Sequence, residues 1–504
     1  MPVNELSDER ADFSDYRLLV PAAGAWGSAA SILSLMTTRV RPQVLLIVGV
    51  LIAMLICAIA LYPLTVYRPR HSTYPAGSVR AAIMLALMVG ALAGLSSVHS
   101  AVSYMNSALT TCRTQCHFDA VVTHRSHRVS HGWFTRVRPR EMRYGQLVLS
   151  TREPIDGEPG DTVRGVGAIK PFGAAPTVGL MKPERIAVSS QPSRTHTFRT
   201  RFFAQLTHLP PDVRGLIIGI SIGDSSEMSD TSRTAMRRTS TTHITAISGM
   251  HLGIIMMTIQ LLLPGRPRSK IVLLTLIVGV LIGVVGPQPS IIRAASMAAV
   301  MAVGYATGRP GQARAALATV VMTWLIINPW LAWSVGFALS VTATAGVLAV
   351  VDSRRQRSNT RAGRVRRRLI GMVAVPLAAA LTTAPILVTV TGQLPLFAVP
   401  ANIAILPAVA PTTLAGLAAA ICATYAPAAT AIPLAVADVG ARWILAVTEW
   451  FAHLPCATIE QPYAHWALGI EFSSITLVLI WRVLPFLVRH RIPHETLSRV
   501  QRIE

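Results

Sequence analysis

Charged residues are scarce in this sequence. Asp, Glu, Lys and Arg make up 14% of its 504 residues, whereas a soluble domain carries roughly a quarter. Hydrophobic residues reach 52% and the mean hydropathy is +0.49. Apolar runs of about 20 residues recur along the chain, which is the length that spans a bilayer as a helix. The composition excludes a soluble globular protein and predicts a polytopic α-helical membrane protein.

Several functional motifs are also missing. Residues 1–15 are acidic and polar, without the basic start and the cleavage site of a secretory signal peptide. The GxxxxGK[ST] loop that binds nucleotide phosphates is absent. His124, His127 and His131 are closely spaced but have no acid between them, and we interpret them as surface histidines. With no convincing metal set or acid/base pair, we predict neither an enzyme nor a bound cofactor.

Cysteine is rare, with five residues in the chain. Cys57 and Cys422 lie in apolar runs, which indicates a packing role. Cys112 and Cys116 lie at the start of a soluble stretch, where a disulfide would require an extracytoplasmic location. A zinc site is the alternative, although His117 and the two cysteines do not form a convincing ligand set.

The apolar runs predict about 12 spans, some of them re-entrant or broken. The predicted divisions are membrane helices in 1–101, a β domain in 102–213, a transmembrane domain in 214–490 and a short basic tail in 491–504. In 102–213, strand-like runs separated by Gly and Pro predict a small β barrel or sandwich, with an OB-like barrel as one fit. These runs are 118–123, 133–137, 146–151, 162–169 and 195–203.

Loop charges predict the orientation. Residues 352–368 contain eight arginines and one acid, which is typical of a cytoplasmic loop. Counting spans from this loop puts both termini in the cytoplasm and residues 102–240 outside. Residues 111–200 carry 14 Lys and Arg against 7 Asp and Glu, an excess that the positive-inside rule does not explain for an external domain.

Two interpretations of this external positive charge remain open. One is an ordinary solvated basic surface. The other is a contact with single-stranded or duplex DNA, because arginines pair with phosphates and aromatic rings stack on bases. The residues predicted for the DNA contact are Trp133, Arg136, Arg138, Arg140 and Arg143.

The stretch THITAISGMHLG, residues 242–253, opens an apolar run yet carries several polar groups. Polar side chains at membrane depth usually face a bundle interior or an aqueous path. On a helix, Ser248 and His251 share one face, and Gly249 allows another backbone to approach closely. The alternatives are a polar path for Ser248 and His251 or a hydrogen-bonded packing pair, with His243 at the edge of the membrane.

An ordered set of motifs accompanies this stretch. Gly219 and Gly223-Asp224 precede it, and Pro289-Ser290 with Arg293, Asn328-Pro329, residues 336–340 and Thr382-Thr383-Ala384-Pro385 follow it. In order and spacing, residues 214–487 resemble the ComEC competence proteins, which are inner-membrane channels that import transforming DNA. No HxHxDH run occurs, so the chain resembles the form without the C-terminal metallo-β-lactamase-like domain.

The resemblance implies a plasma-membrane channel that takes up single-stranded DNA during natural transformation. It implies a DNA path formed by His243, Ser248, Gly249, His251, Asp224 and Arg293. Three alternatives stay open for Asp224, which would hold a re-entrant turn, pair with Arg293 or cap a helix. Arg293 would either face the path, where it attracts phosphates, or extend to the membrane surface.

The partners implied are an external DNA receptor, a cytoplasmic helicase-like ATPase, a separate nuclease and a second copy of the chain. The competing hypotheses are a proton-coupled transporter of another solute, using His251 and Asp224, and a membrane-bound hydrolase.

Overall fold

The structure is a computed structural model that describes only part of the chain. The described ranges are 18–37, 76–129, 132–142, 144–170, 177–189, 194–245, 249–262, 313–352 and 361–460, with isolated positions between 279 and 300. The predicted spans at 44–64 and 475–488 lie outside these ranges, as does most of 263–312. Ser248, Arg143, His131 and Cys57 also lie outside the described residues.

Helices with defined bounds flank a β domain. Before it are α1 (Leu19–Thr37), α2 (Ala76–Met105) and the short α3 (Ala108–Thr111). After it come α4 (Arg194–Gln205), α5 (Pro211–Ile222), α6 (Asp230–Arg238) and α7 (Gly249–Leu262). Further along are α8 (Ala313–Ile327), α9 (Val335–Asp352), α10 (Arg361–Thr391), α11 (Ala398–Tyr425) and α12 (Ala431–Ala452).

The β domain contains six strands. They are β1 (Cys116–Val122), β2 (His127–Val129), β3 (Gly132–Pro139), β4 (Gln146–Thr151), β5 (Thr162–Lys170) and β6 (Thr177–Ser189). The strand order is β1-β5-β6-β4-β3-β2, and β1 also pairs with β3. Five strands therefore close into a barrel, in which β4 and β6 are parallel and the other pairs are antiparallel. A separate two-stranded ribbon pairs β7 (Gln393–Pro395) with β8 (Thr458–Glu460).

Side-chain alternation builds the barrel core. Successive residues of a strand face opposite sides of the sheet, and in β1 every second residue from Cys116 to Val122 is buried. Residues from the other strands complete the same core; they include Val137, Leu147, Leu149, Val163, Ile169 and Met181. A disulfide joins Cys112 to Cys116 and so ties the end of the helical segment to the first strand.

The β prediction differs from the structure in three places: one predicted run is helical, and neither the three-residue β2 nor β6 is among the predicted runs. The run 195–203 is not a strand but lies in α4, because Phe198, Phe202 and Leu206 recur at intervals of four and pack on one helical face. Its Thr and Phe content had favoured a strand. The prediction also missed β6, whose Pro183 and largely exposed second half weaken the alternation.

The described helices have two large hydrophobic cores besides two smaller clusters. One combines α4, α5 and α7 with α11 and α12. The other combines α1, α2 and α8 with the 3-10 turn at Pro329–Trp333 and the start of α9. Among the described residues, three helical segments are long and apolar enough to cross a membrane: Gly371–Thr391, Ala398–Tyr425 and Pro427–Ala452. They agree with a membrane protein, and the predicted count of about 12 spans remains a prediction.

The barrel contacts both helical cores. At one junction, the Tyr144 hydroxyl donates a hydrogen bond to the Ile327 carbonyl at 2.6 Å. Beside it, the Tyr104 hydroxyl donates to the Thr177 carbonyl at 3.1 Å, and the Tyr104 ring lies 5.4 Å from that of Trp330. The other junction, described below, connects the barrel to α4 and the turn after α5.

Candidate functional site

One row of side chains on β3 combines an aromatic ring with two arginines. Thr135 and Val137 are fully buried, whereas Arg136 and Arg138, which alternate with them along the strand, are exposed. Because residues two apart share a strand face, Phe134 faces the same way as these arginines. Phe134, Arg136 and Arg138 form what we call the β3 row, an arrangement of base-stacking surface and phosphate-binding charge.

The β3 row continues onto the adjacent short strand. His127 of β2 pairs with Phe134 in the ladder, and the two rings meet edge to face at 6.2 Å. Burial lowers the pKa of His127, and the charges of Arg136 and Arg233 lower it further. These surroundings therefore favour the neutral form of His127.

The other residues predicted to contact DNA are placed differently. Trp133 directly precedes Phe134 in β3, so its side chain lies on the opposite strand face, the one that carries Thr135 and Val137. Phe134 is thus the aromatic residue beside Arg136 and Arg138. Arg140 follows β3, where its side chain donates to the Thr162 hydroxyl at 2.9 Å and lies 3.5 Å from Asp119. Arg143 lies outside the described residues.

A four-residue ion cluster forms the second junction between the barrel and the helices. Arg199 of α4 lies 3.2 Å from the Glu158 carboxylate of the barrel and 2.5 Å from the Asp224 carboxylate. Arg125 of the barrel pairs with Glu158 and lies 3.8 Å from Asp224. Its guanidinium also stacks 4.2 Å above the Phe203 ring. We call these four charged residues the junction cluster; its formal charges balance.

Asp224 occupies this position because α5 ends immediately before it. Gly223 has a φ of +76° and caps the helix, as its N–H donates to the Gly219 carbonyl at 2.8 Å. Left-handed backbone of this kind favours glycine. The Asp224 carboxylate then accepts from the Ser226 N–H at 3.0 Å. In the described residues Asp224 thus holds a local turn, one of the alternatives predicted from sequence, and pairs with Arg199 and Arg125 rather than with Arg293.

The last turn of α5 packs against the stretch at 242–253. A Cβ on Gly219 would lie 2.9 Å from the Thr245 carbonyl oxygen, so only glycine permits this approach. Thr242–Ile244 form a 3-10 turn, and His243 is exposed with its Nδ1–H donating to the Ser240 carbonyl at 3.0 Å. The junction cluster and the polar stretch are therefore adjacent.

The helical part of the stretch begins at Gly249, the first residue of α7. His251 is 1% exposed and so lies inside the helical bundle. Ile255, four residues on along the same face, packs into the core of α5, α11 and α12. Both alternatives predicted from the sequence, a polar path and a hydrogen-bonded packing pair, place His251 inside the bundle. Its burial therefore agrees with either one.

Arg293 is also buried within the helices. Its Nε donates to the Ser340 hydroxyl at 2.6 Å, and its Nη1 lies 3.4 Å from the Met297 sulfur. Its exposed fraction is 6%, so the side chain does not extend to the surface. The described residues place no carboxylate within ion-pair distance of it. Arg293 and Ser340 belong to two of the motifs described in the sequence, Pro289-Ser290 with Arg293 and residues 336–340.

No group of three or more His, Cys, Asp or Glu side chains is placed to hold a metal ion among the residues that the structure describes. The ionic groups brought together here are instead the balanced junction cluster and the positively charged β3 row.

Comparison with known proteins identifies the helical part. The family described as Competence protein matches residues 220–486, which is more than half of the chain. The ComE operon protein 3 of Bacillus subtilis (strain 168) is 29% identical over 202 residues, or 40% of this chain and 25% of that relative. The match thus spans a quarter of the relative's length. No solved structure matches the chain. The family segment begins just before Asp224 and contains α6, α7, Arg293 and Ser340, and the chain therefore belongs to the competence protein family.

Proposed function

We propose that this protein is a plasma-membrane channel that takes up single-stranded DNA during natural transformation. Membership of the competence protein family supports a role in DNA uptake. The observation that carries the DNA contact is the β3 row, where Arg136 and Arg138 are exposed beside Phe134. Phosphates require positive charge and unstacked bases require aromatic surface, so this row suits single strands of any sequence.

We propose that the five-stranded barrel is an OB-like domain. Its closed order β1-β5-β6-β4-β3 with parallel β4 and β6 is compatible with this assignment. OB folds bind oligonucleotides on the face of their second and third strands, which here are β3 and β4. We further propose that the barrel lies outside the cell and that both termini are cytoplasmic, as the loop charges indicate.

In the proposed path, DNA leaves the β3 row and enters the helical domain near residues 242–253. His243 would lie at the entrance, with Ser248, Gly249 and His251 inside. Arg293, buried with Ser340 as its hydrogen-bond partner, would supply positive charge within the helices. Asp224 would act on the path indirectly, because its carboxylate holds Arg199 and Arg125 at the barrel junction.

The proposal also includes partners. A DNA receptor would deliver DNA to the barrel, a helicase-like ATPase would supply energy, a separate nuclease would degrade the other strand, and a second copy of the chain would complete the assembly. The protein itself would act as a channel rather than as an enzyme.

The experiment is DNA uptake by cells in which variants replace the chain. Arg136→Ala/Arg138→Ala should reduce DNA bound at the cell surface and uptake together, because it removes phosphate contacts. His251→Ala should reduce uptake without reducing surface-bound DNA. Arg152→Ala, an exposed arginine of the barrel outside the β3 row, is the matched control. Wild-type transformation in all variants would disprove the proposal, and a cytoplasmic tag signal at Gly157 would disprove the orientation.

A further inference from the structure

A second basic surface of the barrel is not used by the β3 row. It is an open groove of about 490 Å³ that crosses β1, β5 and β6. The ladder places Asp119 beside Arg164 and Val166 beside Arg185. Phe118 and Val163 alternate with these residues and are buried, so the groove lies on the solvent-facing side of the barrel. Its walls are His117, Asp119, Arg164, Val166, Arg185 and Ile186. We call it the Arg185 groove.

The charges of the groove leave a positive excess. Asp119 accepts a hydrogen bond from Arg164 at 2.9 Å and lies 3.5 Å from Arg140. One carboxylate thus faces two guanidinium groups. Arg185 is exposed and, in the described part of the chain, has no carboxylate within ion-pair distance. Arg164 also remains 67% exposed, so both arginines are accessible to an anion.

Apolar groups lie beside these charges. Val166 lines the groove beside its ladder partner Arg185, and the neighbouring Ile186, at the rim, is 39% exposed. A Cβ on Gly165 would clash with the Arg185 carbonyl oxygen, so glycine lets β5 and β6 approach closely at the groove. Guanidinium groups beside exposed apolar surface match a ligand that alternates phosphates with sugars and bases.

The groove and the β3 row belong to one continuous surface. Arg138 lies opposite Val121 of β1, and the Arg140 N–H donates to the Asp119 carbonyl at 2.9 Å. From β3 the surface therefore runs over β1 and β5 to β6. Three strand spacings of about 4.8 Å give roughly 14 Å across the strands, which a few nucleotides can span. Each pair of neighbouring strands along this path contains an arginine: Arg138 between β3 and β1, Arg164 between β1 and β5, and Arg185 between β5 and β6.

We propose that the Arg185 groove is a second binding subsite for the sugar-phosphate backbone of single-stranded DNA, so that one strand occupies the β3 row and then wraps around the barrel. Arg164 and Arg185 bind phosphates, and Val166 and Ile186 contact the sugars or bases. This inference rests on the proposed function, because it extends the same DNA contact. It predicts that the barrel binds long single strands through more phosphates than short ones.

The test measures binding of thymidine oligonucleotides of about 6 and about 24 nucleotides, which lie near the lower end of and above the roughly 4–16-nucleotide site sizes of single-strand-binding barrels. The protein is the full chain, purified in detergent. Arg164→Ala/Arg185→Ala should weaken binding of the long oligonucleotide about tenfold and leave the short one unchanged. Since each single-strand phosphate contact contributes about 0.7 to the salt slope, the slope for the long oligonucleotide should fall by about 1.4. Arg152→Ala is the control and should change neither.

The outcomes separate the two proposals. If the wild-type chain binds neither oligonucleotide, the proposed function fails, and the inference fails with it. If binding is present and depends on Phe134 but is unchanged in Arg164→Ala/Arg185→Ala, only the inference fails. A photocrosslinker at position 185 that labels the long oligonucleotide supports the subsite even if the double variant is unstable. Equal displacement of the long oligonucleotide by polyglutamate would overturn it in favour of an acidic protein partner.

Discussion

The junction cluster allows a quantitative prediction for Arg199. Its side chain is 3% exposed, and its two partners, Glu158 and Asp224, are 13% and 12% exposed. Replacing it by Met in Arg199→Met keeps most of the volume but leaves two buried carboxylates facing the single guanidinium of Arg125. Removing one partner from a buried ion pair costs about 3–5 kcal/mol, because the remaining charge is uncompensated.

The expected effect is a loss of thermal stability. For a cooperative unit of about 150–250 residues, 1 kcal/mol corresponds to roughly 2–4 °C, so 3 kcal/mol should lower the Tm of the detergent-purified protein by roughly 6–12 °C. Asp224→Asn alone should also destabilise, since it leaves two arginines with one carboxylate. The double variant Arg199→Met/Asp224→Asn restores charge balance with Arg125 and Glu158, and should recover most of the loss.

The assay is thermal unfolding together with limited proteolysis between the barrel and α4. The single variants should expose this region to protease at lower temperature than the double variant. Single variants within 2 °C of the wild-type Tm, or a double variant no more stable than either single one, would refute the argument that the cluster holds the barrel on the helices.

Three further predictions concern the barrel. Phe134→Ala should weaken oligonucleotide binding by roughly 5- to 150-fold in Kd, the equivalent of about 1–3 kcal/mol for one stacked base, as measured by fluorescence anisotropy; unchanged affinity would remove Phe134 from the site. Tyr144→Phe should cost about 1 kcal/mol, because the hydroxyl no longer satisfies the Ile327 carbonyl, and faster hydrogen exchange near this carbonyl would report the loss. Burial lowers the pKa of His127 in the folded protein below its value of about 6.5 in the unfolded chain. As pH falls through about 6.5, the unfolded state therefore takes up a proton before the folded state does, and the stability should decline. In His127→Gln this decline of Tm with pH should be shallower, and an identical slope would contradict the assignment.

Local patterns predicted much of the barrel. The sequence predicts β1, β3, β4 and β5 as short strand-like runs between turn residues, and buried and exposed residues alternate most clearly in β1 and β3. β6 was missed because its second half extends beyond the core and its ladder with β5 is irregular at Val166 and Gly167. The Thr and Phe residues of the α4 segment have high β propensity and so favour a strand. The four-residue spacing of Phe198 and Phe202 instead indicates the helix that forms.

The candidate site was less predictable, since its partners are distant in sequence. Arg199 and Asp224 are 25 residues apart, and Glu158 lies in the barrel, whereas Arg199 lies in α4. Nothing local marks Arg199 among the many arginines of this chain, and only the closed barrel brings it to Glu158. Similarly, choosing Phe134 over Trp133 requires the strand register, because both neighbours are aromatic and a shift of one residue exchanges their faces.

Import of labelled single-stranded DNA tests the central claim most directly. The measurement would compare internalised and surface-bound DNA in a competent host whose own family member is deleted and replaced by this chain. The account predicts that the wild-type chain restores internalisation and that His251→Ala leaves surface-bound DNA intact but does not restore internalisation. Failure of the correctly inserted wild-type chain to support any import, or full import by His251→Ala together with Ser248→Ala, would contradict a DNA path through this part of the helical domain.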